Sequence, residues 1–423
     1  MRPKENNVRK LTDHLFRHEA GRMVAALTRI FGFHNLELAE DVVQDAFGKA
    51  LNDWTYGVPD NPSGWLMQAA KNKAIDIVRR ERYQKEFAQE TSVLLKSEYT
   101  AAPTIENLFL EHEVQDSQLR MIFACCHPAL SEADQIALTL KTTSGFSVHE
   151  IASALLVNPE MIKKRLQRAR SNIIENKIHF GIPAGIELNK RLDTVLHALY
   201  LIFNEGYNSS DREELIRKDL CEEAIRLSLL LTQNNFTNYP KCYALVSLLS
   251  LLASRFDARL DEDGEIVLLE DQDRTKWNHE LIAIGLEYFE KSMGGEELSE
   301  YHLEAAIVSE HSIAQRFSET NWPGILSLYN RLVLINPSPV VLLNRCIVIS
   351  KIDGFQKAIE SIYSIPEIDK HLESKYLFPA VLGELYRHSN KKDEAKKFLE
   401  RAIGLTHSPL EKKLLQKKLS MLP

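Results

Sequence analysis

At 423 residues, with 44% hydrophobic and 26% charged positions, the chain has the composition of a globular protein long enough for two or three domains, each with a sizeable core. Its longest apolar runs, 195–203 (VLHALYLIF) and 243–253 (YALVSLLSLLA), fall short of the roughly 20 residues that span a bilayer, so no membrane segment is expected. A net charge of −7 excludes a bulk polyelectrolyte binder and turns attention to where the cations sit.

Residues 1–180 hold 23 Lys/Arg against 23 Asp/Glu, so the whole deficit belongs to residues 181–423. The first part is neutral only on average. Residues 71–85 carry six basic side chains against two acidic, and 160–177 repeat that ratio, a pattern that suits local nucleic-acid contacts. The opening MRPKENNVRKL has basic residues with no apolar run behind them, so a secretory signal is not expected. Five cysteines at irregular spacing give no disulfide framework and fit a reducing cytoplasm.

Apolar residues recur at three- and four-residue spacing nearly throughout, which predicts an all-α fold. The first helix with a readable surface is 36–54 (LELAEDVVQDAFGKALNDW). It puts Asp41, Gln44 and Asp45 on one face and turns Val42, Ala46 and Phe47 elsewhere. Phosphate would repel such a face, so a protein partner fits it better; a plain solvated face is the alternative. Residues 61–82 (NPSGWLMQAAKNKAIDIVRRER) open with Asn61-Pro62, a capping acceptor before a first-turn proline. Trp65, Leu66, Ala69, Ala70, Ile77 and Val78 form the apolar side and leave Lys71, Asn72, Arg79, Arg80 and Arg82 outward. Aromatic and basic groups together suit melted DNA, whose bases need surfaces to stack on. Residues 88–106, mixed and broken by Pro103, read as a flexible joint between domains.

Ser147 and Glu150 have capping-box spacing, and Asn158-Pro159 repeats the device of 61–62, so 147–174 reads as two helices around a short turn. On the second helix Ile162, Leu166, Ala169 and Ile173 share a side and pack against Ile151, Ala152, Leu155 and Leu156. Glu160, Lys164, Gln167, Arg168 and Ser171 occupy the opposite side, flanked by Lys163, Arg165 and Arg170. Lys, Arg and Gln suit base edges in a major groove while flanking cations meet phosphates. A solvated basic face on an ordinary helical hairpin is the alternative.

Glycines and a proline in 178–187 (IHFGIPAGIE) mark a second boundary near 180. Beyond it, segments aligned on Ile325, Ala358 and Ala395 repeat at 33 and 37 residues, as stacked helix hairpins of about 34 residues require. The last unit, around VLGELYRHSN and DEAKKFLERAIGL, resembles the tetratricopeptide repeat most clearly, and 188–236 suggests a divergent pair.

In this order, AEDVVQDAF, GWLMQAAKNKAIDIVRRER and FSVHEIASALLVNPEMIKKRLQRAR resemble the sigma-70 family, specifically the extracytoplasmic-function group of RNA polymerase sigma factors. FACCHPALS, YLIFNEGY, LLEDQDRTKW and PSPVVLLNR further resemble the subgroup with a long tetratricopeptide-like C-terminal extension. The resemblance implies a region 2-like domain (1–87), a linker (88–115), a region 4-like helix-turn-helix domain (116–180) and a helical extension (181–423). It implies polymerase clamp contacts through Asp41, Gln44 and Asp45, and −10 contacts through Trp65, Asn72, Lys73, Arg79 and Arg80. The −35 element falls to Lys163, Lys164, Gln167, Arg168 and Arg170. Pro159 and Met161 stand where this recognition helix commonly starts with Ser/Thr. The partners implied are core RNA polymerase and promoter DNA, with no cofactor, no metal and no bond chemistry of its own, in the cytoplasm. The extension is expected to regulate, through contact with the sigma domains or polymerase.

Three other patterns carry less. The loop 259–270 has calcium-loop spacing, but Arg259 stands at the first ligand position and a polar turn is expected. Cys125-Cys126-His127 lacks zinc-site spacing and reads as a buried helix end. Glu270, Asp271, Asp273 and Arg274 have no nucleophile or phosphate loop beside them and read as an ion-pair network or docking surface. The rivals to the sigma reading are a helix-turn-helix regulator with a repeat sensor and a repeat scaffold whose basic helix is incidental.

Overall fold

The computed structural model describes residues 3–81, 87–88, 92–96, 98–155, 157–208 and 216–422, so Arg82 and Leu156 lie outside the described residues. Every regular element among these is helical, and the one strand-like pairing is an isolated bridge between Leu260 and Ile266. The chain divides into two compact units, Met1–Ile202 and Phe203–Pro423.

The first unit is built on a long central helix, α1 (Pro3–Phe31). Around it come α2 (Leu36–Asp53), α3 (Pro62–Glu81), α4 (Ser92–Lys96), α5 (Glu98–Leu108), α6 (Glu111–Cys125), α7 (Glu132–Thr143), α8 (Val148–Ala154), α9 (Pro159–Glu175) and the start of α10 (Ile186–Tyr207). Met23, Ala25, Ala26, Leu27, Ile30 and Phe31 of α1 have no exposed surface. These residues crowd the C-terminal half of α1, which must be covered, and α2, α6 and α7 pack against the helix. The approach of α1 to α7 is so close that a Cβ added at Gly21 would lie 1.9 Å from the Thr143 carbonyl oxygen.

Residues 88–106 depart from the flexible joint expected of them. They supply α4 and most of α5, with Pro103 inside the helix. Leu95, Ile105 and Leu108 are buried, and α5 packs on α3, so burial of the apolar side chains outweighs the backbone cost of the proline. The boundary expected near 180 falls in the turn between α9 and α10, whereas the two compact units divide inside α10.

The second unit continues through α11 (Lys218–Gln233), α12 (Pro240–Ala253), α13 (His279–Ser292), α14 (Glu300–Ile313), α15 (Trp322–Ile335), α16 (Pro339–Ile352), α17 (Phe355–Tyr363), α18 (Ile368–Ser374), α19 (Leu377–His388), α20 (Lys392–Leu405) and α21 (Pro409–Ser420). Neighbours in sequence pack as hairpins, and the repeat positions Ile325, Ala358 and Ala395 are fully buried. At the clearest crossing Gly383 of α19 faces Leu399 of α20, where a Cβ would meet Leu399 Cγ at 2.8 Å. One turn on, the Tyr386 and Phe398 rings stack with centroids 5.5 Å apart.

The calcium-like loop is a polar turn: Asp261 Oδ1 accepts from the backbone N–H of Asp263 at 3.0 Å and of Glu265 at 2.8 Å. Lys413 and Lys417 of α21 both reach Glu265 at 2.9 Å, which ties the last helix to this turn. Within LLEDQDR, Glu270 pairs with Lys351 at 3.1 Å and Asp273 accepts from Thr275. Cys125 and Cys126 end α6 as buried thiols beside Thr142 and Thr139. Burial pushes Cys126 up to about 12.

Candidate nucleic-acid and polymerase interfaces

Local chemistry starts both helices of the 147–175 hairpin. Ser147 and Glu150 form the reciprocal capping box of α8, and the Asn158 side chain accepts from the N–H of Glu160 at 2.9 Å with Pro159 in the first turn of α9. Ile162, Leu166, Ala169 and Ile173 are buried, each large apolar member contributing about 1.5–3 kcal/mol to holding α9 in place. Ile151 and Ala152 of α8 are buried as well.

The outer side of α9 is less uniform than its sequence suggests. Lys164 and Gln167 are exposed, and Lys163 is exposed and pairs with Glu160 at 2.6 Å. Arg168, expected to face bases, is exposed and also grips both carboxylate oxygens of Asp134, with Nε at 2.8 Å from Oδ2. Asp134 is 1% exposed at the start of α7, so this fork joins α9 to α7. Arg170, expected to meet DNA, reaches across to α2 and donates to Glu37 at 2.9 Å and to Glu40 at 2.6 Å. Burial raises the Glu40 carboxyl above its ordinary range, and Arg170 and Lys141 only partly offset this. A cleft of about 480 Å³ between α2 and α9 is lined by Glu37, Asp41, Gln167 and Arg170 among others.

On α2, Asp41, Gln44 and Asp45 are all exposed while Val42, Val43, Ala46 and Phe47 are buried. Asp45 lies 2.8 Å from Lys73 of α3, so the acidic face and the basic strip abut. On α3, Trp65 is half-buried, packed edge-on against Trp54 at 5.5 Å with Lys49 over its ring at 5.7 Å. Asn72 is exposed and accepts from Gln68 at 2.8 Å, Arg79 is exposed and pairs with Asp76 at 3.2 Å, and Arg80 is exposed. Beside this strip, in the turn joining α2 to α3, Tyr56 is 96% exposed, an aromatic that the sequence reading did not single out. Its signal was an aromatic in a Gly- and Pro-containing turn directly before a basic helix.

The two predicted sigma-like domains are held together by α1. Arg17 pairs with Glu150 and its guanidinium lies 3.9 Å above the Phe146 ring; Arg22 reaches Glu111; Arg29 reaches Glu113 and Asp116. Burial works to raise Glu150, yet the Ser147 N–H and hydroxyl and the Arg17 charge hold its carboxyl below the usual range.

Among the described residues, no helix is long and apolar enough to cross a membrane and no His/Cys/Asp/Glu group has the arrangement to hold a metal ion. The profile of Sigma-70 region 2 matches residues 15–83, that of Sigma-70, region 4 matches 120–173, and a family of unknown function (DUF6596) matches 191–293. An uncharacterized protein of Rhizobium meliloti (strain 1021) is 36% identical over 391 residues, covering 92% of this chain and 91% of that protein. The ferric citrate uptake sigma factor FecI of Escherichia coli (strain K12) is 24% identical over 144 residues, 34% of this chain and 79% of FecI. No solved structure matches the chain. With both sigma regions matched in order on helices that carry an acidic face, a basic strip and a helix-turn-helix, the chain belongs to the extracytoplasmic-function sigma factors of the sigma-70 family and carries a long helical C-terminal extension.

Proposed function

We propose that the protein works in the cytoplasm by docking on the clamp helices of core RNA polymerase through Asp41, Gln44 and Asp45, and directs initiation at promoters whose two elements it contacts separately. Trp65, Asn72, Lys73, Arg79 and Arg80 serve the −10 element, with the melted strand stacking against the aromatic and basic surface of α3. At the −35 element Lys164 and Gln167 meet base edges and Lys163 meets phosphate. Arg168, exposed beside them, also holds α9 on α7 through Asp134, and Arg170 becomes available to phosphate only once it leaves Glu37 and Glu40.

The observation that carries this reading is the pairing of Arg170 with α2. The helix proposed to dock on polymerase is the helix that occupies a cation of the −35 reader, so polymerase binding and promoter reading are coupled through one contact. It also accounts for an acidic protein needing no tight unaided DNA binding: polymerase delivers the reader. The extension takes part in regulation of this opening.

Run-off transcription with core enzyme tests the reading. Promoter-dependent transcripts are expected with the protein and core together, and tight operator binding by the free protein without any transcript would favour a conventional helix-turn-helix regulator instead. Deleting residues 203–423 in the same assay gives the sign of the extension's effect; unchanged output would remove it from regulation.

A further inference from the structure

Near the start of the second unit, three guanidiniums gather around two aromatic rings. Arg255, at the end of α12, donates to the Tyr207 hydroxyl at 2.8 Å and lies 5.9 Å from the Trp277 ring centroid. Arg259 sits 3.9 Å over the Tyr207 ring and donates to the Tyr207 carbonyl and, at 2.7 Å, to Asn208 Oδ1. Arg274 lies 4.7 Å from the Trp277 centroid and donates from Nη1 to the carbonyls of His311 and Ala314 at the end of α14.

Elsewhere in this unit Arg217, Arg226, Arg316 and Arg387 each meet a carboxylate within 3 Å. Among the described residues no carboxylate forms an ion pair with Arg255, Arg259 or Arg274. Their hydrogen bonds go to neutral oxygens, which satisfy donors without pairing the charges; the one carboxylate that acts on Arg274 from a distance, Glu319, is itself paired with Arg316. Arg255 is 9% exposed and Trp277 3% exposed. Four buried donor or acceptor atoms here have no partner: Arg255 Nε, Arg274 Nη2, Trp277 Nε1 and His311 Nδ1.

Buried charge is retained when something opposite in sign meets it, and buried N–H groups are retained when something accepts from them. A water molecule supplies the acceptor and not the charge; an anion supplies both. Burial together with Arg255 and Arg274 lowers His311 to about 4, so its imidazole is neutral at physiological pH and the positive field comes from the arginines alone.

We propose that this cluster is a binding site for a small oxyanion, a phosphate or carboxylate group held by Arg255 and Arg274 with the Trp277 indole N–H as a neutral donor. Planar guanidinium forks match two oxygens at once, and the flanking aromatic faces exclude competing water. Arg255, Arg274 and Trp277 lie in the segment matched by the family of unknown function, with His311 beyond it, and the proposal stands independently of the sigma reading.

The test uses the full chain. Thermal unfolding is followed in inorganic phosphate, in succinate and in sodium chloride at equal ionic strength, with His311 ring resonances recorded at fixed pH in the same three solutions. A saturable rise of about 3 °C or more in phosphate or succinate, beyond that in chloride, is expected, together with a shift of the His311 resonances. Whichever oxyanion acts identifies the group as phosphoryl or carboxyl. The response should vanish in Arg274→Gln and persist in Arg331→Gln, an exposed arginine of α15. If Arg274→Gln does not fold, the His311 shift in the unaltered chain decides. No response to either oxyanion beyond chloride, with unmoved His311 resonances, overturns the proposal, as does an Arg274→Gln chain that responds like the parent.

Discussion

Removing Arg170 and neutralising Glu40 should have unequal effects, although the two residues form one ion pair. Glu40 is the more buried partner, with its side chain 11% exposed against 26% for Arg170. Its carboxyl is raised by burial, so the charged form is less favourable in the fold than in water even with Arg170 at 2.6 Å. Arg170→Ala strands that charge. Breaking a fully buried pair costs about 3–5 kcal/mol, and the partial exposure of Arg170 brings the expected loss to about 2 kcal/mol. Glu40→Gln removes the expensive charge and keeps an acceptor for Arg170, so it should cost under about 1 kcal/mol. In a unit of this size 2 kcal/mol is a fall of about 4–8 °C in Tm. The pH dependence follows from the direction of the Glu40 shift. A raised acid means that the folded state holds its proton more tightly than the unfolded state, so the contribution of Glu40 to stability falls as pH rises from the ordinary carboxylate range through its folded value. Without Arg170 the fall is steeper, so the deficit of Arg170→Ala should be largest near neutrality and shrink toward pH 4. Circular-dichroism melts of both variants at the two pH values measure this; a Glu40→Gln chain less stable than Arg170→Ala, or a deficit that grows on acidification, would refute the reasoning.

The remaining expectations concern separate elements. Lys164→Ala and Gln167→Ala should lower −35-dependent run-off yield about tenfold in combination with unchanged melting, because both side chains are exposed on α9; a loss of stability instead would assign them to packing. Arg168→Ala should melt the helix-turn-helix early, by about 2 kcal/mol, since it leaves the 1% exposed Asp134 carboxylate without its fork; unaltered urea denaturation would return Arg168 to the DNA-facing set. Gly383→Ala should destabilise the second unit by about 1–3 kcal/mol, read by thermal melts, because the new methyl meets Leu399 Cγ at 2.8 Å and its backbone N at 3.1 Å. The five buried thiols should resist alkylation in native protein at pH 8 and react on unfolding, with Cys126, pushed up to about 12, among them; rapid native labelling, mapped by mass spectrometry, would contradict their burial.

What was legible in the sequence was mostly local. The caps at Ser147 and Asn158, the buried stripe of α9 and the exposed acidic face of α2 each depend on residues within a few turns of one another. Residues 88–106 were misread because their helices are decided by Leu95, Ile105 and Leu108 finding cover on other elements, which periodicity within the segment does not reveal. Arg168 on the outer side of α9 and Arg170 on its flank both read as DNA contacts, yet their partners lie 34 and 130 or more residues away, beyond any pattern of spacing. The arginines of α1 were equally silent, for the same reason: the acids they meet on α6 and at the start of α8 are remote in sequence. The cluster around Trp277 shows the same limit, being assembled from the ends of α10, α12 and α14 and the loop between α12 and α13.

The placement of Glu37 and Glu40 on the same helix as Asp41, Gln44 and Asp45 has an effect in the opposite direction as well. If polymerase on one side of α2 weakens the hold on Arg170, thermodynamic reciprocity requires that phosphate drawing Arg170 away strengthen the grip of α2 on polymerase by an equal factor. A promoter with a well-matched upstream element would then act as an effector of holoenzyme assembly, recruiting the subunit that reads it. The strength of a promoter would be registered in how long this protein stays bound to the enzyme, in addition to how well the DNA itself is held.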